Sequence, residues 1–197
     1  MHKMHSFECS LAIAALTAAP AAGAHTLAAE GAPFLTGFAH PLLGVDHLLA
    51  MLAVGLWAAQ LGGRALWYLP LAFASVVMAG VALGAEGVAL PMVQAGIASS
   101  VLVLGLALAF VARLPAMASL ALVGLFAVSH GHAHGSELVH AAFALSDSLG
   151  FLLATVTVLL AGLHLGGRFR RALAARTVPL SRLSGAVIAA SGLLLWA

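Results

Sequence analysis

Apolar runs long enough to cross a bilayer recur along the chain, interrupted by glycine, proline or arginine. A membrane-spanning helix needs roughly 20 consecutive apolar residues. By that measure the pattern predicts helices near Leu42–Gly62, Ala65–Gly84, Pro91–Val111, Leu114–Ser129, Ala141–Leu165 and Val178–Trp196. No water is available inside hydrocarbon to satisfy backbone N–H and C=O groups, so such segments must be helices. The expected fold is all-α: a polytopic transmembrane bundle of about six spans, forming one domain over residues 25–197.

The N-terminus carries a different pattern. "MHKMHSFECS" contains Lys3, "LAIAALTAA" is apolar but too short to span, and "AGA" at Ala22 to Ala24 gives the small-x-small site of a signal peptidase. Residues 1–24 are therefore expected to be a signal peptide. Cleavage before His25 would leave a free amine beside an imidazole, a pair that can chelate a divalent metal.

Composition strengthens the membrane assignment. The chain is 63% hydrophobic and 7% charged, with a mean hydropathy of +1.11. That leaves too little polar surface to solvate a globule of 197 residues. The lipid bilayer is thus a partner by necessity. The eight Lys/Arg against six Asp/Glu point to orientation rather than to nucleic acid. Arg64, Arg113, and Arg168, Arg170, Arg171 and Arg176 fall in the loops after the first, third and fifth spans, all on one side. Cytoplasmic loops hold the excess of Lys/Arg, so the mature N-terminus is expected outside, in the periplasm of a bacterial inner membrane. Cys9 is the single cysteine, which excludes an intrachain disulfide.

Against this apolar background two polar clusters stand out. "HPLLGVDHLLA", His40 to Ala50, opens the first span, with Pro41 suited to the first turn of a helix. On one helix His40 and His47 would project from nearly one face, with Asp46 about 100° around. "SHGHAHGSELVH", Ser129 to His140, joins the fourth and fifth spans on the same side of the membrane. His130, His134 and Glu137 follow i, i+4, i+7 spacing, which a helix would align, while Gly131 and Gly135 equally allow an irregular backbone. His132 would point elsewhere. Imidazole and carboxylate without thiolate suit Ni²⁺, Co²⁺, Zn²⁺ or Cu²⁺. Asp46 and Glu137 would either ligate or orient a histidine.

These motifs resemble those of the HupE/UreJ family of nickel/cobalt permeases. "HPLLGVDH" matches that family's His-x5-Asp-His signature, and "HGHAHGSE" matches its His-Gly-x-Ala-His-Gly-x-Glu signature. The likeness runs over essentially the whole mature chain. It implies uptake of nickel or cobalt as a transported substrate, with no permanently bound cofactor, in the service of hydrogenase or urease maturation. The metal-binding residues it implies are His40, Asp46, His47, His130, His134 and Glu137. His132 falls on a variable position, and it forms a secondary set with His25, His140 and Asp147. Ser129 stands where the family often has Phe.

Other functions fit less well. A haem-binding electron-transfer subunit would pair histidines across helices within the spans, whereas these gather at one edge. A hydrolase lacks an HExxH motif, and Ser129 beside His130 is a slight basis for a nucleophile. No GxxxxGK[ST] phosphate loop occurs. The chain is thus read as a permease and not an enzyme, with a homo-oligomer left open. "LGGR" recurs at Leu61–Arg64 and Leu165–Arg168, hinting that the first and fifth spans are pseudo-equivalent.

Overall fold

The computed structural model describes residues 32–138, 143–172 and 177–196. The expected signal peptide, His25 and His140 lie outside the described residues. Seven helices follow in order among the described residues: α1 Pro33–Leu43, α2 Val45–Leu61, α3 Ala65–Ala85, α4 Val93–Ala109, α5 Ala116–Glu137, α6 Ala144–Ala172 and α7 Thr177–Leu194. The fold is all-helical.

Three of these helices are by themselves long and apolar enough to cross a membrane: Ala65–Ala85, Ala116–Glu137 and Ala144–Phe169. The α1–α2 pair makes a fourth when taken as one broken span, bent by 74°. Val93–Ala109 and Leu180–Leu194 are apolar but shorter. Large apolar side chains such as Trp67, Leu71, Phe110, Leu125 and Leu145 face outward, while Met51, Trp57, Leu69, Phe73, Leu104 and Phe151 fill the interior. An apolar exterior of this extent suits lipid as the surrounding solvent.

The first span departs from the uninterrupted helix expected there. A helix begins nine residues earlier, at Pro33, and Pro41 lies inside it rather than in its opening turn. Proline has no N–H and crowds the preceding turn, so α1 ends two residues later. Gly44 forms the joint, at φ −75° and ψ 105°. Its N–H donates to the His40 carbonyl at 2.9 Å, and its own carbonyl accepts from Leu48 N–H at 2.9 Å. The bend therefore leaves neither backbone group of Gly44 unpaired, as a low-dielectric surrounding demands.

The second departure is in α5. The expected helix stopped at Ser129, with the second motif as a connection; α5 instead runs without a break through the motif to Glu137. The glycines explain why. A Cβ on Gly131 would overlap the Val77 carbonyl, and one on Gly135 would overlap the Val81 carbonyl. They let α5 and α3 touch backbone to backbone rather than loosening the chain. Since 77 meets 131 and 81 meets 135, the two helices run parallel.

Similar close approaches set the other pairs. Gly55 of α2 abuts Leu159 and Gly162 of α6, also parallel, while Gly105 and Gly185 pack α4 antiparallel to α7. Gly37 of α1 abuts the Asp147 backbone, and Gly150 abuts Phe34 and Phe38, so α1 lies antiparallel along the start of α6. At the opposite end, Trp57 Nε1 donates to the Ala112 carbonyl at 3.0 Å and Gln60 Nε2 to the Leu108 carbonyl at 3.2 Å. Arg64 and Arg113 thus share one end of the bundle and the histidines the other. The two LGGR segments are not equivalent: the first terminates α2 at Gly62 (φ 71°), whereas the second lies within α6.

Candidate metal centre

Five elements converge at the histidine end. The break at Gly44 turns α1 back so that His40 and His47, on different helices rather than one face, approach with ring centroids 5.5 Å apart. From α5, His134 meets His40 at 4.7 Å and His130 meets His47 at 4.6 Å. The four rings form a chain, His134–His40–His47–His130. Phe151 of α6 stacks on His134 with centroids 4.1 Å apart and planes at 10°, and lies 6.3 and 6.2 Å from His40 and His47.

The cluster is graded in depth. Glu137 is 60% exposed at its side chain and His40 23%, whereas His47 is 6%, His134 2% and His130 1% exposed. His130 and His134 are buried in the bundle and not at its edge, because α5 continues as helix and carries them against α3, α4 and α6. The two outer residues and the buried His134 come nearest to a ligand set. One ligand atom each from His40, His134 and Glu137 lie within 4.8 Å of one another, the sole such group of three among the described residues. His40 Nδ1 to Glu137 Oε2 is 3.8 Å, beyond hydrogen-bond range. His47 and His130 form a second pair, with ring centroids 4.6 Å apart.

The hydrogen bonds of the buried rings divide their nitrogens into held and free. Asp46 Oδ1 accepts from His47 Nδ1 at 2.9 Å and from its backbone N–H at 2.7 Å. Asp147 Oδ2 accepts from His134 Nε2 at 2.8 Å. His130 Nε2 lies 2.8 Å from Ser100 Oγ. The opposite nitrogens, His47 Nε2, His134 Nδ1 and His130 Nδ1, are buried and have no hydrogen-bond partner. A buried polar atom without a partner costs about 1–3 kcal/mol. Three such atoms within one cluster of touching rings leave a deficit that a cation would offset. A histidine with one nitrogen anchored by carboxylate or hydroxyl and the other open is the usual state of a metal-ligating imidazole. The rings touch edge to face, leaving no slot in which a porphyrin could lie between two of them.

Of the residues expected at the site, His40, Asp46, His47, His130, His134 and Glu137 are brought together. Asp46 serves as an anchor for His47. Asp147, from the secondary set, serves as the anchor for His134. His132 points away: its Nε2 donates to the Val88 carbonyl at 2.6 Å, tying α5 to the segment after α3. Ser129 packs against Gly96 of α4, so closely that a Cβ on that glycine would overlap its hydroxyl. Two contributors went unread in the sequence, Ser100 and Phe151. A hydroxyl pair in the apolar run "IASSVLVL" is a faint signal for the first; a phenylalanine in an apolar helix gives none for the second.

The comparisons with known proteins agree with the motifs. The family model described as HupE / UreJ protein matches residues 13–195. A relative, Protein HupE of Rhizobium leguminosarum bv. viciae, is 43% identical over 182 residues, covering 91% of this chain and 92% of the relative. No solved structure shows a significant match.

Proposed function

This chain belongs to the HupE/UreJ family, and from that premise we propose that it is an uptake permease. Its substrate is Ni²⁺ or Co²⁺, carried from the periplasm across the bacterial inner membrane to supply hydrogenase or urease maturation. The arginine loops face the cytoplasm, and the histidine end faces the periplasm. The observation that supports this reading best is the set of three buried imidazole nitrogens without partners, reached from an exposed carboxylate. Neutral imidazole and carboxylate are the donors these borderline ions accept.

The graded depth gives an order of events. Glu137, with its charge in solvent, meets the hydrated ion first and offsets part of its charge. His40 and His134 replace waters of hydration, and His47 and His130 take the ion deeper as those contacts exchange. Among the described residues no group of four ligand atoms closes around a point, which keeps capture weak enough for release. Below the rings Thr155 Oγ1 is buried without a partner, and at the far end Gln60 Oε1 is too.

The test is uptake of radioactive Ni²⁺ at limiting metal by cells lacking another nickel importer. Alanine at His40, His47, His130, His134 or Glu137 should lower uptake about tenfold or more, with membrane levels unchanged and partial recovery at excess metal. Ligands along one route act as a unit, so His47→Ala with His134→Ala should cost less than the sum of the two single effects. Unchanged uptake in both single variants of a well-expressed protein would refute the reading.

A further inference from the structure

We propose that Ser100 and Asp147 are positioning residues that hold His130 and His134 as their Nε2–H tautomers, keeping both Nδ1 lone pairs open toward a divalent cation. What those lone pairs serve rests on the permease reading; the tautomers themselves do not.

The deduction follows from counting hydrogens. Ser100 Oγ lies 2.6 Å from the Ile97 carbonyl and 2.8 Å from His130 Nε2. The hydroxyl has one hydrogen, and a carbonyl oxygen can only accept. Two oxygens at 2.6 Å with no hydrogen between them would repel, so that hydrogen belongs to the contact with Ile97. The remaining lone pairs of Oγ can then only accept, and His130 Nε2 must be the donor. For His134 the deduction is shorter, because an ionised carboxylate is acceptor-only and Asp147 Oδ2 at 2.8 Å requires a hydrogen on Nε2. A neutral imidazole with its hydrogen on Nε2 carries its lone pair on Nδ1. In both rings Nδ1 is the buried atom without a partner.

The anchors come from elsewhere in the fold. Ser100 is on α4 and Asp147 on α6, while both rings are on α5. Each anchor is itself well buried, Ser100 completely so. Ser100 is fixed in turn by its own helix, through the Ile97 bond. Asp147 is held at its backbone against Gly37. His47 has the same arrangement with its nitrogens exchanged, Nδ1 on Asp46 and Nε2 free. His40, the most exposed of the four rings, has no such anchor within hydrogen-bond range. Three rings are therefore preset as acceptors, and the ring at the entrance is not.

The tautomer matters because a ring that turns its N–H toward a cation cannot bind it. Reversing the tautomer would place that hydrogen on Nδ1 and strand Nε2 opposite its anchor. Loss of such an outer anchor typically costs 10–100-fold in metal affinity.

The test uses the full-length protein in detergent, with histidine ring nitrogens labelled with ¹⁵N and resonances assigned through His130→Gln and His134→Gln. In the metal-free wild type, Nε2 of both rings should give the protonated, pyrrole-type signal and Nδ1 the unprotonated one. Asp147→Leu should populate the Nδ1–H form of His134 alone, and Ser100→Ala that of His130 alone. Each should weaken Co²⁺ binding, read from the visible ligand-field bands of the bound ion, by 10–100-fold. Ser100→Thr keeps the acceptor oxygen and should recover the wild-type tautomer and affinity. A wild-type ring protonated at Nδ1 would overturn the proposal even if no variant folds. So would variants that leave both the ¹⁵N pattern and the Co²⁺ affinity within twofold of wild type. If the tautomers and Co²⁺ affinity shift as stated while cells take up no metal, the positioning roles stand and the permease reading fails.

Discussion

Three histidines close together along one helix end up with unrelated tasks. His130 and His134 have one nitrogen anchored and one free, whereas His132 spends its Nε2 on the Val88 carbonyl and lies off the cluster. The spacing accounts for the split, since i and i+4 share a helix face and i+2 does not. The consequences of removal should differ in kind. His132→Ala gives up one hydrogen bond to a carbonyl in an exposed segment, which water can replace, so its cost is at most about 1 kcal/mol of stability. Thermal unfolding of the purified protein should shift slightly and Co²⁺ affinity should hold within twofold. His134→Ala instead removes a free nitrogen and leaves the buried Asp147 carboxylate unpaired, so both stability and affinity should fall. Equal losses of affinity in the two variants would contradict the division of roles.

Among the helices, the α3–α5 contact carries the site. α5 holds His130 and His134 in register only because Gly131 and Gly135 let it lie against the α3 backbone. Gly131→Ala forces a methyl group into the Val77 carbonyl, and neither backbone can yield cheaply. Overpacking of this sort costs about 1–3 kcal/mol. The displacement should also part the rings, lowering Co²⁺ affinity. Gly124, on the same helix, is a control: a Cβ there meets nothing nearer than Val76 Cγ2 at 4.0 Å. Gly124→Ala should be neutral, or stabilising by up to about 1 kcal/mol through helix propensity. Melting temperatures in one detergent measure both, and destabilisation of equal size would show that α3 and α5 do not touch as described. Gly44 plays a different part, as the joint at which the first span turns by 74°. Discontinuous helices at binding sites are a recurrent device of transport proteins, since they bring side chains from two directions to one point.

For the molecule as a whole, the histidine and arginine ends are opposite, so orientation in the membrane decides which is the entrance. With Cys9 replaced by serine, a cysteine at Ser136, which is exposed at the histidine end, should react with an impermeant thiol reagent added outside intact cells. A cysteine at Arg64, exposed at the other end, should react only after the membrane is opened. The reverse labelling pattern would put the histidine cluster in the cytoplasm and overturn the proposed direction of transport.

The class of the fold was legible from apolar run length and arginine placement, because backbone satisfaction in hydrocarbon leaves a helix as the only form such runs can take. The gathering of His40, Asp46, His47, His130, His134 and Glu137 at one end of the bundle was legible too, since polar side chains are costly in apolar surroundings and the two motifs concentrate them. What only the tertiary structure decided is how those residues meet. Periodicity put His40 and His47 on one helical face, yet Pro41 and Gly44 break the helix between them, and a local pattern carries no term for the angle of a joint. Gly131 and Gly135 permit a loop as readily as a tight helix contact, and the choice depends on whether α3 lies alongside. The pairings of Ser100 with His130 and Asp147 with His134 span 30 and 13 residues. Spacing along one helix cannot reach across to another, and it is these contacts between helices that determine which nitrogen of each ring is free.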